Sequence, residues 1–311
     1  MAVNVFALDP AHDSHHERQT AKEALQFAQE QLGGDWTIVS SRSKMRKSLF
    51  EAEFNGRRVI GKISPSQRAH TAYSSLKKLW TAGFCPPARC TVPEPIAWFP
   101  ERNLLIQEKA PGLSIVDVMQ DKSCDTGFAR DAASWLKAVW DLKVDSAPAK
   151  RDLEDIAQRG RDVSTALGDT RAEKLSQAAA RLLSANGTDL HPSHGDFHPM
   201  NVFVSAERVT AIDLDTFALR EREVDVAYFL AQTAIFGIHL HNSFAATHQL
   251  RTEFARECGD LDRQRVVAYM AWALLQSLHY DLCILRIKNE SADLMLAAAD
   301  RLLSTGSTEL R

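Results

Sequence analysis

HGDFHPMNVFVSAERVTAIDLD, residues His194 to Asp215, holds two short apolar runs, Val202–Val204 and Val209–Ile212, on either side of Ser205–Arg208. Short extended runs around a polar break predict a tight hairpin. With Val204 paired to Val209, Asn201 faces Ile212 and lies beside Asp213, because antiparallel partners recede from the turn one for one. An amide oxygen and a carboxylate then meet at the open end of the hairpin. Hard oxygen ligands, few in number, suit Mg2+ that is also held by phosphates. Gly195 and Pro199 shape a tight loop around Asp196, five residues before Asn201. A carboxylate there can accept a proton from a hydroxyl aimed at phosphorus.

Upstream, Ala21, Ala24, Leu25, Ala28 and Leu32 share one helical face, and Gly33-Gly34 supply the stop. From Asp35 to about Ile106 the pattern changes to short strands: TIVS, LFEAEF and RRVIGKIS around Asn55-Gly56, and NLLIQ. Asn-Gly between extended runs signals a hairpin, so Phe54 pairs with Arg57 and Leu49 faces Lys62. Lys62 then lies beside the mouth of a loop from Ser40 to Ser48, where its ammonium can meet phosphates. Glu51 is its diagonal neighbour on the same face, within reach of a long side chain. Two partners are open to Glu51: Lys62, or Arg58. A helix with Ala69, Ala72, Tyr73, Leu76, Leu79 and Trp80 at helical spacing interrupts the strands, with Gly83 past its end.

Charge follows the same division. Residues 42–78 carry ten basic and two acidic side chains, whereas residues 196–265 carry eleven acidic and seven basic ones. Phosphate near the first and metal near the second would account for that asymmetry. Over the whole chain 37 Lys and Arg stand against 40 Asp and Glu, so no global field marks a nucleic-acid or membrane-surface protein. The first residues lack the basic and apolar regions of a signal peptide, and the longest apolar stretch, Val266–Leu278, is too short to span a bilayer. Five scattered cysteines make no disulfide framework. A cytoplasmic location is expected.

HGDFHPMN followed by IDLD resembles the catalytic and metal-binding motifs of the aminoglycoside phosphotransferase and choline kinase-like family. The resemblance runs from about residue 37 to 230. It implies an α+β, two-lobed protein kinase-like fold: a β-rich N-lobe over 1–106, a hinge at 107–112 (EKAPG spans Glu108–Gly112) and a mainly helical C-lobe over 113–311. It implies ATP and Mg2+ as cofactors, Asp196 as catalytic base, Asn201 and Asp213 as metal ligands with Asp215 second to them, and His194 as a brace for the loop. Asp225, in VDVAYFLA, would anchor that loop from a helix start. VIGK is similar to the strand lysine of kinases, which places Lys62 on the nucleotide phosphates, and backbone groups from Glu108 to Ala110 would meet the adenine edge.

Two features depart from that pattern. SSRSKMRKS, residues 40–48, has no glycine, so Ser40, Ser41, Ser43, Lys44 and Lys47 would have to meet phosphate through side chains. The helix after Lys62 lacks the glutamate that should pair with it, Ala72 standing in its place. The expected function is transfer of the γ-phosphoryl group of ATP to a hydroxyl of a small molecule: an aminoglycoside, an amino alcohol or a sugar-like compound. The alternative is a nucleotide-binding regulatory module without turnover. Tyr269, Trp272 and Tyr280 either line a pocket for a cationic acceptor or belong to the helix core.

Overall fold

Ala21, Ala24, Leu25 and Ala28 form the buried face of α1 (His15–Leu32), and Gly33, at φ 63°, ends the helix with its N–H on the Gln29 carbonyl. The structure is a computed structural model describing residues 15–44, 47–64, 66–120, 126–149, 152–184 and 189–310. Three strands follow α1: β1 (Trp36–Lys44), β2 (Lys47–Phe54) and β3 (Arg57–Ile63). Asn55 and Gly56 join β2 to β3 with φ of 48° and 75°, the left-handed pair that a two-residue hairpin turn requires. The ladder runs Phe54↔Arg57 to Leu49↔Lys62, the register read from the sequence.

The segment from Ser40 to Ser48 is not the open loop expected. Ser40 pairs with Glu51, Ser41 with Phe50, and the ladder continues to Lys44↔Lys47. The polar half of β1, Ser40–Lys44, gave no apolar alternation to read, yet a polar sequence suits the solvent-facing edge of a sheet. Only residues 45–46 remain between the strands, and they lie outside the described residues, as do the side chains of Ser43, Lys44 and Lys47.

After α2 (Ser66–Thr81) come β4 (Cys90–Thr91), β5 (Pro95–Phe99) and β6 (Leu104–Glu108). The first sheet has the order β1-β2-β3-β6-β5. Its two faces follow from the period of two along a strand. Phe50, Ala52, Val59, Leu104 and Ile106 pack with α1 as one core cluster. On the other face Lys62 stands opposite Leu105, Leu105 opposite Trp98, and Trp98 stacks on Tyr73 of α2 with ring centroids 5.9 Å apart.

The chain divides into two compact units, one up to Gly112 together with Phe203–Phe217, the other Leu113–Val202 with Ala218–Arg311. The hairpin segment 203–217 therefore belongs with the first unit, although it lies far along the chain. There β9 (Val202–Val204) neighbours β10 (Val209–Ala211), the Ser205 N–H meeting the Arg208 carbonyl at 3.0 Å, and β10 runs parallel to β4. Gly112, at φ 85°, approaches the Val204 carbonyl so closely that a Cβ would overlap it.

The second unit begins with β7 (Leu113–Ser114) and is mainly helical. It contains α3 (Ile115–Met119), α4 (Gly127–Trp140), α5 (Leu153–Leu167), α6 (Arg171–Leu183), α7 (Arg222–His241), α8 (His248–Cys258), α9 (Arg263–His279) and α10 (Ala292–Thr305). A short antiparallel pair, β8 (His191–Ser193) with β11 (Ala218–Arg220), brings His191 opposite Arg220. Among the described residues no helix is long and apolar enough to cross a membrane, and Cys85, Cys90, Cys258 and Cys283 form no disulfide.

Gly61 faces the fully buried Phe50 across β2 and β3, and any Cβ there would run into the ring. Overpacking of this kind costs about 1–3 kcal/mol. Gly61→Ala is therefore expected to lower the free energy of unfolding in urea by about that amount, seen as a lower midpoint, and an unchanged midpoint would contradict the packing described.

Candidate active site

In the first unit, Lys62 reaches from β3 to the Asp213 carboxylate, 151 residues away in sequence, and forms an ion pair. Both side chains are largely withdrawn from solvent, with 12% and 27% of their surface exposed. Asp213 adopts a left-handed backbone conformation, φ 65°, directly before a single helical turn, Leu214–Thr216, that contains Asp215. Aspartate is among the few residues other than glycine that enter this region readily. The turn packs against α2, so the helix after Lys62 supports the carboxylate that Lys62 meets.

That helix carries no acid, and Ala72 is buried within it. Glu51 does not fill the vacancy: it accepts from Arg58 and, at 2.8 Å, from Lys109 Nζ. Arg58 and Lys62 are both its diagonal neighbours, and the second cation, Lys109, draws the carboxylate toward the Arg58 end of the sheet. At the end of β6, the Glu108 carboxylate binds Arg208 of the hairpin at 2.5 Å. The Glu108 N–H goes to the Glu94 carbonyl and the Lys109 N–H to the Arg58 carbonyl, at 2.9 and 3.0 Å, while Ala110 is buried.

In the second unit the loop after β8 is held from two sides. Asp225, on the first turn of α7 and fully buried, accepts the His194 N–H through one oxygen and the Gly195 N–H through the other, both at 2.7 Å. Burial pushes its carboxyl above the usual range, while His194, Arg220 and the two amides act in the opposite direction. From the other side Phe197 enters the core, stacked on Trp135 at 5.5 Å and against Phe229 at 5.7 Å. With the loop anchored at 194–195 and at 197, Asp196 between them is turned outward and stays partly exposed.

Asn201 closes the loop. Its Nδ2 donates to the Asp196 carbonyl at 3.0 Å and lies 3.1 Å from His198 Nε2, which engages the amide nitrogen and leaves Oδ1 as its acceptor. His198 stands 3.8 Å from the Asp196 carboxylate and edge-on to Tyr228. The Tyr228 hydroxyl donates to Asp196 and accepts from Gln232. Burial first, and then the Asp196 charge, hold its phenol well above the usual value.

Phe197, Tyr228 and Arg220 belong to the site's surroundings without a motif that marks them in the sequence. Phe197 had one signal, a large apolar residue inside an otherwise polar loop. Tyr228 lies three residues after Asp225, at a spacing that puts both on one face of α7. Tyr269 and Trp272 line a cavity of the second unit, together with Gly195, Arg220 and Tyr228, whereas Tyr280 does not line it. Among the described residues no three His, Cys, Asp or Glu side chains gather as a metal site.

The crystal structure of aminoglycoside phosphotransferase APH(4)-Ia superposes with a TM-score of 0.64 at 15% identity, over 92% of this chain and 99% of that one. A thermostable mutant of that enzyme, in a ternary complex with AMP-PNP and hygromycin B, gives 0.65 at 17% identity, over 91% and 98%. A choline/ethanolamine kinase family protein from Mesorhizobium loti gives 0.63 at 14%, over 91% and 94%. The fold is thus α+β and protein kinase-like, with an N-terminal antiparallel sheet and a larger helical part. No curated protein sequence matches significantly. The profile of the phosphotransferase enzyme family (APH) matches residues 49–261, well over half of the chain, and the chain belongs to that family.

Removing a buried acceptor strands its donors at about 1–3 kcal/mol each. Asp225→Asn keeps the volume but offers one acceptor oxygen for two N–H groups. It is expected to destabilise the protein by about that amount in urea unfolding. A stability equal to wild type would show that the clamp on His194 and Gly195 is not needed.

Proposed function

We propose that this protein is an ATP-dependent phosphotransferase that moves the γ-phosphoryl group to a hydroxyl of a small molecule, an aminoglycoside, an amino alcohol or a sugar-like compound. The observation that carries the reading is the Lys62–Asp213 ion pair, which joins the strand lysine to the acidic hairpin. A largely buried pair of this kind is costly to desolvate, and it holds ready one cation for phosphate and one carboxylate for metal. The neighbour complex with AMP-PNP supports a nucleotide, and the neighbour complex with hygromycin B supports a hydroxylated small acceptor.

The donor chemistry fits Mg2+. Asp213 offers a carboxylate and Asn201 an amide oxygen turned away from its internal bonds, a sparse oxygen set suited to an ion that completes its shell with phosphates and water. Bound Mg2+ would neutralise phosphate charge as the phosphoryl group transfers. Lys62 exchanges its Asp213 contact for phosphate oxygens. Asp196 accepts the hydroxyl proton of the acceptor and aligns its oxygen, with Phe197 and Asp225 fixing the loop. Since Glu108 and Lys109 have spent their N–H groups, the adenine edge meets the Ala110 N–H and the Glu108 carbonyl. The absent helix glutamate was the motive for a binding module without turnover; Asp213 partners Lys62 in its place, so the lysine is held toward the hairpin without a carboxylate on the helix.

General base assistance contributes a factor of roughly 100 or more. Asp196→Asn should lower turnover by at least about that factor and keep Mg-nucleotide affinity; near-normal turnover would sink the assignment. Asp213→Ala should abolish metal-dependent nucleotide binding in calorimetry, and Asn201→Ala should weaken it, since an amide contributes no charge. An unaltered metal requirement in both variants would contradict the ligand pair.

A further inference from the structure

The cavity beside Gly195 measures about 270 Å³ and lies wholly within the second unit. It falls just below the roughly 300–1,000 Å³ of sites for drug-sized ligands, which suits a molecule the size of a single sugar. The charged groups in its wall are Asp152, Asp155, Glu221 and Arg220. Each is already answered from within the protein. Asp152 caps α5, accepting the Asp155 N–H at 3.1 Å, and Asp155 pairs with Arg159 at 2.9 Å. Glu221 receives Arg265 on one oxygen and the Tyr269 hydroxyl on the other, deep in the interior. Arg220 stands in the field of Asp225 and Asp196, with Tyr269 beside it. A charged ligand entering here would lose its hydration and would have to break one of these internal contacts to gain a partner.

Gln276 is placed differently. It lies one turn beyond Trp272 on α9, so the two share a helix face with Tyr269, and all three line the cavity. Among the described residues no hydrogen bond or ion pair engages its side-chain amide. An uncharged amide offers two donors and an acceptor oxygen, and hydroxyl groups, each both donor and acceptor, complement it. Around it the wall is apolar or aromatic: Ile156, Val224, and the rings of Tyr228 and Trp272. The Arg159 guanidinium already lies over the Trp272 ring, 5.7 Å from the centroid, and the Tyr228 hydroxyl is engaged with Asp196 and Gln232. These rings therefore offer apolar contact to the C–H groups of a carbohydrate, while the cation that an aromatic face attracts is supplied by the protein.

We infer that the acceptor is an uncharged polyhydroxy compound of monosaccharide size, held by hydrogen bonds to Gln276 and by apolar contact with Trp272 and Tyr228. The inference rests on the phosphotransferase reading and narrows its acceptor class to the sugar-like one. Gln276 acts on binding and takes no part in the transfer itself. A hydroxyl of the same molecule has to reach Asp196, the neighbour of Gly195 in the cavity wall.

Aldopentoses, aldohexoses and their alditols form a neutral panel, and the matching amino-alditols and aldonates put a cation or an anion on the same skeleton. Phosphoryl transfer and calorimetric binding are measured for wild type, Gln276→Leu and Gln276→Glu, with thermal midpoints confirming that the variants fold. The kcat/KM of one or more neutral compounds should exceed that of both charged analogues by about tenfold or more, since a charge without a partner gains nothing for its lost hydration. A hydrogen bond between uncharged groups corresponds to a factor of roughly 2 to 10. Gln276→Leu should raise the KM of the preferred compound by about this factor, with kcat little changed. Gln276→Glu should improve the amino-alditol at the expense of the neutral compound, because it adds a carboxylate to the wall. Preferred transfer to an amino-alditol or an aldonate, a neutral KM unmoved in Gln276→Leu, or no binding of any neutral compound overturns the inference. Neutral binding that weakens in Gln276→Leu, with no transfer to any acceptor, upholds this site and sinks the phosphotransferase reading.

Discussion

Asp225 has no exposed surface, and its two oxygens accept the N–H groups of His194 and Gly195. A buried backbone donor without a partner costs too much to persist, so the loop can take only the course that brings both amides to α7. Gly195 makes that course possible at φ 81°, a conformation from which a Cβ would exclude most residues. Phe197 then has one place to go, the aromatic stack that runs from Trp135 through Phe229 to Phe254. Asp196, between the two anchors, is aimed by its neighbours and needs little from its own contacts. The site is thus preorganised by main-chain satisfaction and apolar burial.

The first unit depends on a different balance. Lys62 and Asp213 come from opposite ends of that unit's sequence and meet because the sheet face that holds Lys62 is the one α2 covers, and α2 also supports the turn after Asp213. Part-buried ion pairs stabilise little in net terms, since desolvation offsets their attraction. Such a pair is better suited to exchange than to scaffolding. It keeps each charge satisfied with no carboxylate needed on α2, and under the proposed function it would yield both to a ligand of mixed charge.

Charge counting misled wherever the partners were internal. Glu51 was one diagonal step from Lys62 and one from Arg58, and sequence spacing could not rank the two; Lys109, 58 residues further on, settled it. The wall of acids and aromatics around Trp272 has the composition of a cation site, yet Arg159 already lies over the Trp272 ring and Arg265 already pairs with Glu221. Local patterns record which charges are present. They do not record which of them remain available to a ligand.

The sequence by itself determined the elements whose signals are local. Asn55-Gly56 admits the left-handed turn and thereby sets the register down to Leu49 and Lys62; the apolar face of α1 and its glycine stop follow from helical period and backbone freedom; HGDFHPMN and IDLD carry their spacing wherever the chain goes. The strand pairing from Ser40 to Lys44 escaped detection because a polar edge strand has no alternation to read, and β5 because its five residues give no regular pattern. Tertiary structure alone decided that Lys62 meets Asp213, that Glu51 meets Arg58 and Lys109, that Phe197 enters the core, and that Arg220 stands in a cavity wall. Each depends on which groups the fold brings together, as with Lys62 and Asp213, 151 residues apart, or Glu51 and Lys109, 58 apart, and on which of them must satisfy one another. That condition exists only once the chain has folded.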